Sequence, residues 1–448
     1  MNTLAARPPD PPSPDAEVSR SAPPQEPLAL VLKGTTLLFA NAETTERIMA
    51  AGDRVAGALG YRATLIPRWD ELTIQLDGGA SSRHGVAAVA PTGIDMNKVL
   101  ATEQTIDAMI DGRLPPEEAR QGFARIAALP PVSLGRFALA AAVGASALSV
   151  VFGATHPSSI ALIALSAGTG AVIRRGLTHL SPNLLLQPIC AALLAGLIGG
   201  IAQRHQLSSP LSLVALCPCM VLVPGPHFLN GLLDLSHARV ALGCSRIAYA
   251  VLVVVSISAG LLLGLWLAGA TLAVSPPSRS VALAVDVAAA GLAVSAYGSF
   301  YSMPWRYLPI PIVVGMIAHA IHWSALSMGA NVYAAAFLAC LFVGLVMTPL
   351  ANRLRLPFAA MAFAAVVSLI PGVFLFRMTA GLVEMAKLSV KTPPSLALAI
   401  LAEGSTAILI LFAMGFGLIA PKLFAARSRP CPTSATRPTA ESDRVREL

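Results

Sequence analysis

The stretch PCMVLVPGPHFLNGLLDL, Pro218 to Leu235, starts as an apolar run fit to enter a membrane, stops at Pro224-Gly225, and turns polar through His227, Asn230 and Asp234. Proline removes a backbone donor and glycine permits a bend, so the helix ends early and frees backbone groups. SLIPGVFLFRMTAGLVEM, Ser368 to Met385, breaks in the same way at Pro371-Gly372. A shift of 147 residues (371 − 224) carries the first break onto the second, and also Leu134 onto Val281, Leu184 onto Asn331 and Leu211 onto Phe358.

Outward from the breaks, apolar segments predict helices at about 134–152, 157–173, 184–201, 211–223 and 240–268, then 281–300, 309–325, 332–350, 357–370 and 396–420. Several are shorter than the roughly 20 residues a bilayer core requires. The pattern is an internal repeat of five helices each. Five is odd, so the second set enters the membrane from the opposite face and the repeats are inverted. Interrupted helices at matched positions of inverted repeats are the pattern of secondary transporters, with the substrate near the midplane between halves.

Composition agrees: 55% of the 448 residues are hydrophobic and only 12% charged, against about 25% charged in soluble domains. The chain reads as an α-helical integral membrane protein with about ten transmembrane helices, preceded by a small α/β domain. Residues 1–27 hold eight prolines and no apolar core, a disordered tail. The α/β domain spans 28–130, the membrane repeats 134–268 and 281–420, and a second tail 421–448. The net charge of +8 lies mostly at helix ends, as flanks of membrane helices, which argues against nucleic acid as a partner. The six cysteines are scattered, and Cys217 and Cys219 lack a second Cys/His pair at ligand spacing, so no metal and no cofactor is implied.

Within the α/β domain, Leu28 to Gly60 keeps a helical period and reads as one long amphipathic helix. YRATLIP, ELTIQLDGG and VAAVAPTG read as three strands, and MNKVLATEQTIDAMIDG and PPEEARQGFARIAAL as two helices. Asp77 to Gly85 is a glycine-rich hairpin turn rather than a phosphate cradle. For orientation, Arg174, Arg175, Arg239, Arg246, Arg306, Arg353 and Arg355 count as inner loop cations against Arg204, Arg279, Arg377, Lys387 and Lys391 outside. The flanks Arg120, Arg125, Arg136, Lys422, Arg427 and Arg429 place both termini and the α/β domain in the cytoplasm, with the body in the inner membrane.

Ionisable side chains inside a bilayer cost roughly 3 kcal/mol on insertion scales, so each is a candidate for function. Asp286 and Glu403 fall five and seven residues into their helices, about 8–11 Å below the outer surface at 1.5 Å per residue. The alternative for both is snorkelling or pairing with Arg279. His319 sits near mid-bilayer, as a proton relay or as a core histidine bonded to a carbonyl, with His322 behind it. After the breaks, Asn230 and Asp234 share a helix face, and the 147-residue shift puts Arg377 on Asn230. For an amino acid, helix N-termini and Arg377 suit the carboxylate, and Asp234, Asp286 or Glu403 the ammonium. A solvated loop face is the alternative for Asp234 and Arg377.

The stretches GTTLLFANAETTERIMAAGDRVAGALG and GIDMNKVLATEQTIDAMIDGRLPPEEARQGFARI, with two Pro-Gly breaks in a five-plus-five body, resemble the threonine/serine exporter family. The resemblance covers nearly the whole chain after the tail, including both halves that some relatives carry as separate polypeptides. It implies a cytoplasmic domain followed by ten helices, export of threonine, serine or similar small polar metabolites, and proton antiport. Some split relatives are associated with dicarboxylate export. Where the family's pattern has Asn-Gly-Ala-Glu-Thr, this chain has Asn41-Ala42-Glu43-Thr44, one glycine shorter, and Glu43 and Thr44 read as an exposed polar turn.

Not an enzyme, the chain reads as a transporter in which Pro224, Gly225, Pro371 and Gly372 shape the path, with a homo-oligomer left open. A membrane-anchored hydrolase would need a Gly-x-Ser-x-Gly, His-Glu-x-x-His or paired Cys/His signature, and none is present. A passive channel is distinguished by its inability to support an uphill gradient.

Overall fold

The computed structural model describes residues 25–78, 81–207, 212–272, 281–354 and 358–427. Arg279, the sequence-level partner for Asp286 and Glu403, lies outside the described residues, as do 1–24 and 428–448.

The N-terminal head opens with α1 (Gln25–Ala40) and α2 (Thr45–Ala58) in place of the single helix expected from Leu28 to Gly60. The chain turns because Ala42 takes φ 63°, a left-handed conformation that ends a helix. The Asn41 side chain donates to the Leu37 carbonyl at 2.8 Å, and the helical ladder restarts where Ile48 N–H bonds Thr44 O at 3.0 Å. The apolar period survives across this elbow, which is why spacing alone hides it.

Strands β1 (Arg62–Pro67), β2 (Glu71–Gly78) and β3 (Ser81–Ala88) form an antiparallel meander in the order β1-β2-β3. The third strand begins before VAAVAPTG: Gln75 pairs with His84 and Asp77 with Ser82, so much of the expected turn from Asp77 to Gly85 is ladder. Leu72, Ile74 and Leu76 alternate onto one face and are buried there. Helix α3 (Met96–Ile110) starts at Asp95, whose Oδ1 accepts from the Asn97 and Lys98 amides at 3.0 and 3.1 Å. Helix α4 (Pro116–Ala127) carries Phe123, whose ring lies over Gly34 of α1 in a core with Val31, Leu38, Ile48 and Ile106.

The body contains α5 (Leu134–Val151), α6 (Pro157–Leu180), α7 (Leu186–Arg204), α8 (Leu213–Met220), α9 (Gly225–Ser236) and α10 (Val240–Leu267). It continues with α11 (Leu283–Phe300), α12 (Pro309–Ser327), α13 (Val332–Leu354), α14 (Phe358–Val366), α15 (Gly372–Leu388) and α16 (Pro394–Arg427). Among the described residues eight helices are long and apolar enough to cross a membrane, and ten spans result if each bent pair is one span. The bends are at the two Pro-Gly pairs, 54° between α8 and α9 and 52° between α14 with its 3-10 turn and α15.

Neighbour relations recur in both halves. Helix α7 packs on α10 and α13 on α16; α6 lies between α5 and α7 as α12 lies between α11 and α13; α9 adjoins α10 as α15 adjoins α16. The matched helices α5 and α11 pack side by side and run antiparallel. Arg136 near the start of α5 donates to Met303 O just past the end of α11, and Gly153 beyond the other end of α5 faces Val281.

Small residues bring the backbones together. A Cβ placed on Gly264 of α10 would overlap the Leu193 carbonyl of α7, and one on Gly260 the Ile189 carbonyl. Without a hydrophobic driving force between helices in lipid, such close packing is a main source of association.

Candidate functional site

Two broken helices meet in the body, and their contacts are reciprocal. A Cβ on Gly225, first residue of α9, would lie 2.8 Å from Ile370 and overlap the Phe363 ring. One on Gly372, first residue of α15, would lie 3.5 Å from Val223 and 3.3 Å from Met220. The 147-residue shift that carries Gly225 to Gly372 carries Val223 to Ile370, so each helix start touches the segment just ahead of the other break. Phe228, Leu229, Val366 and Met414 line the small apolar cleft beside this crossing. Tyr297 of α11 donates its hydroxyl to the Met220 carbonyl at 3.2 Å, satisfying a group at the end of α8.

Among the described residues, three buried polar clusters stand out in the body and at its junction with the head. In the first, Arg377 on α15 faces Glu403 on α16, Nη1 to Oε1 at 3.9 Å, with Arg377 1% and Glu403 7% exposed. Arg377 Nε and Nη1 and Glu403 Oε2 have no hydrogen-bond partner among the described residues. Such a pair is electrostatically compensated but incompletely bonded, so its free N–H and carboxylate oxygen are available to a polar solute or a proton.

In the second, Asp286 of α11 and His319 of α12 join through Oδ2 and Nδ1 at 2.7 Å, both essentially inaccessible. His319 Nε2 finds no partner among the described residues, and the His322 ring lies one helical turn on, 5.7 Å between centroids. The carboxylate fixes the ring orientation at one imidazole nitrogen and leaves the other as an unbonded polar group in the interior.

The third sits where the head meets the body. Asp234 of α9 approaches Arg246 of α10, Oδ2 to Nε at 3.1 Å, and Arg239 at 3.6 Å. Asn230 donates from Nδ2 to Ala42 O at 2.9 Å, which ties α9 to the elbow of the head. Met96 N–H bonds Tyr301 O at 2.9 Å and Trp69 packs on Tyr249, so the head rests on the α9–α10 turn and the segment after α11. Behind the elbow, Glu103 of α3 lies beside Arg47 and Arg54, and Arg54 also bonds Asp107. Burial pushes the Glu103 carboxyl up to about 6, the two arginines opposing the shift and Glu43 adding to it.

A family model described as "Putative threonine/serine exporter" matches residues 29–268, and a second, "Threonine/Serine exporter, ThrE", matches residues 286–424. The chain belongs to the threonine/serine exporter family. It carries both family segments in one polypeptide, and the family is one of transporters rather than enzymes. No solved structure matches it. Among the described residues no group of three or more His, Cys, Asp or Glu is arranged to hold a metal ion.

In this member of the family, Pro224, Gly225, Pro371 and Gly372 stand at the crossing, Asn230 and Asp234 under the head, Asp286 with His319, and Arg377 with Glu403. The two acids thus have different partners. Four sequence-level assignments change. Asp234 and Arg377 are 2% and 1% exposed, which removes the solvated loop face. Arg246, counted as an inner loop cation, is a fully buried residue two turns into α10, and Arg377, counted outside, is buried in α15, so neither belongs in a loop-charge comparison. Glu43 and Thr44, expected on an exposed turn, are 2% and 3% exposed because the elbow is pressed against the body. The sequence signal for Arg246 was present: an arginine inside a 28-residue apolar helix is a costly placement that implies a partner.

Proposed function

We propose that this family member exports small polar amino acids of the threonine/serine class from the cytoplasm across the inner membrane by proton antiport. The head and the N-terminus lie on the cytoplasmic side, and two inverted five-helix repeats, 134–268 and 281–420, rock about the crossing of the broken helices. The observation that carries this reading is the reciprocal contact of the two breaks, Gly225 on Ile370 and Gly372 on Val223. The antiparallel run of α5 and α11, matched helices of the two halves, supports the inversion. The starts of α9 and α15, the positive ends of their helix dipoles, lie at the crossing, where a carboxylate is favoured. Arg377 adds a second carboxylate ligand, and Asp286 or Glu403 meets the ammonium or the coupling proton.

The rival substrate class is a dicarboxylate. Binding two carboxylates in a low-dielectric site calls for surplus positive charge, whereas Arg246 and Arg377 each face an acid, Asp234 and Glu403. A zwitterion, with one charge of each sign, suits compensated pairs better. Counterflow in proteoliposomes separates the classes: preloaded unlabelled L-threonine is expected to drive uptake of labelled L-serine, with no effect of external succinate. Counterflow of labelled succinate with none of serine would sink the amino-acid reading.

A further inference from the structure

At the junction of head and body, six side chains from four segments present unbonded polar atoms to a shared, buried region. Arg246 is fully buried, and although its Nε approaches Asp234, the alignment leaves Nε, Nη1 and Nη2 without a hydrogen-bond acceptor among the described residues. Asp234 Oδ2, Asn230 Oδ1, Thr45 Oγ1, Glu43 Oε2 and His227 Nδ1 are likewise unbonded there, on residues no more than 3% exposed. Thr45, first residue of α2, points its hydroxyl at the Asp234 carboxylate, a contact close enough to favour the charged carboxylate but short of a well-formed hydrogen bond. Asn230 uses its amide nitrogen on Ala42 O and so keeps its carbonyl oxygen turned to acceptor duty. Phe39 of α1 closes one side, its ring 5.6 Å from the Arg246 guanidinium.

Leaving one buried hydrogen-bonding group unpaired costs about 1–3 kcal/mol, more when it is charged. A single orphan is tolerable, but this concentration is costly unless the groups have a ligand to meet. Their chemistry specifies it. Arg246 offers forked donors for a carboxylate. Asp234 and Asn230, one turn apart on α9, offer acceptors for an ammonium group. Thr45 offers a hydroxyl to a ligand hydroxyl.

We propose that the elbow of the head and the α9–α10 hairpin together form a second binding site for a small hydroxylated α-amino acid, with Arg246 holding the carboxylate, Asp234 and Asn230 the ammonium, and Thr45 the side-chain hydroxyl. The inference rests on the substrate being a small polar amino acid, and it adds that the head supplies part of a substrate site. This site lies at the head-facing end of α9, apart from the Arg377–Glu403 pair on α15 and α16, and it loads the exporter on the side where the head sits. Helix α9 begins at the first break, so ligand held on Asn230 and Asp234 is linked to the crossing through a single rigid helix.

The test is the stoichiometry and selectivity of labelled L-serine binding to the full chain in lipid nanodiscs. Wild type is expected to bind two equivalents per chain. Thr45→Val and Arg246→Lys each weaken one of them at least about tenfold, about 1.4 kcal/mol, and leave the other unchanged, while Thr45→Ser restores both. L-glycerate, which keeps the configuration of L-serine and carries a hydroxyl in place of the ammonium, competes poorly at the head–body site of the wild type. Thr45→Val is nearly isosteric, so it decides the matter even if Arg246→Lys fails to fold. Two equivalents of unchanged affinity in folded Thr45→Val and Arg246→Lys would overturn the site, leaving the cluster as a clamp between head and body. A single wild-type equivalent lost only on Arg377→Lys would overturn it too. No binding of serine or threonine by wild type would remove the amino-acid reading itself.

Discussion

Glutamine at position 403 is expected to abolish the proposed proton-driven efflux of amino acid while leaving amino-acid exchange measurable. Glu403 stands 3.9 Å from Arg377 with one carboxylate oxygen unbonded, in a helix of the second half whose neighbour α15 begins at the break. Glutamine keeps the shape and the hydrogen-bonding capacity but cannot take up and release a proton. Net efflux requires the proton to return through the empty carrier, whereas exchange requires only an occupied site that alternates between faces. The loss of net flux should reach about a hundredfold, the scale on which a positioned proton-transfer group acts. Removing one partner of a buried pair also costs about 3–5 kcal/mol through the charge left behind on Arg377, so folded yield in detergent must be measured alongside. Asp286→Asn, which alters the bond to His319, instead weakens amino-acid binding. Wild-type net efflux with unchanged pH dependence in Glu403→Gln would make that carboxylate structural.

The second large effect is on assembly. Gly264→Leu places a branched side chain where the backbone of α7 already fills the space, against the Leu193 carbonyl, the Leu197 amide and Gly196. Overpacking a well-packed core of side chains costs about 1–3 kcal/mol, and here the obstacle is backbone that cannot repack, so the variant should lose most of its folded yield. Gly57→Ala is the control, since that helical glycine of the head has nothing within 4 Å of its absent Cβ. It should unfold at the wild-type temperature or slightly higher, because alanine is the better helix former. Equal melting of Gly264→Leu and wild type would refute the close packing of α7 on α10.

What the sequence made legible was local. Proline and glycine act on their own backbone, so Pro224-Gly225 and Pro371-Gly372 mark the starts of α9 and α15 to the residue. Apolar length sets the ends of α5 and α10 to within a residue or two. Helix α6 runs on past residue 173 to Leu180 because Arg174 and Arg175 do not end it; they lie over the Phe137 ring, and Arg174 also over Phe300. The elbow at Ala42 escaped because its helical period continues on both sides. Asp286 and Glu403 were identifiable as costly acids, but their partners His319 and Arg377 follow from helix packing. The junction cluster was the least legible part. Asn230 and Ala42 are separated by 188 residues, and the burial of Glu43 follows from the docking of the head on the body.

The inverted arrangement is the central claim, and sidedness of two matched positions tests it most directly. The 147-residue shift takes His237, exposed just after α9, to Glu384 in the last turns of α15, one helical turn before the exposed Lys387. Single cysteines at His237 and Lys387, in a chain whose six native cysteines are replaced, are to be labelled in intact cells with a thiol reagent that does not cross the membrane. Lys387→Cys should react from outside, and His237→Cys only after the membrane is permeabilised. Labelling of both from the same side would contradict the inverted repeat and, with it, alternating access about the two breaks.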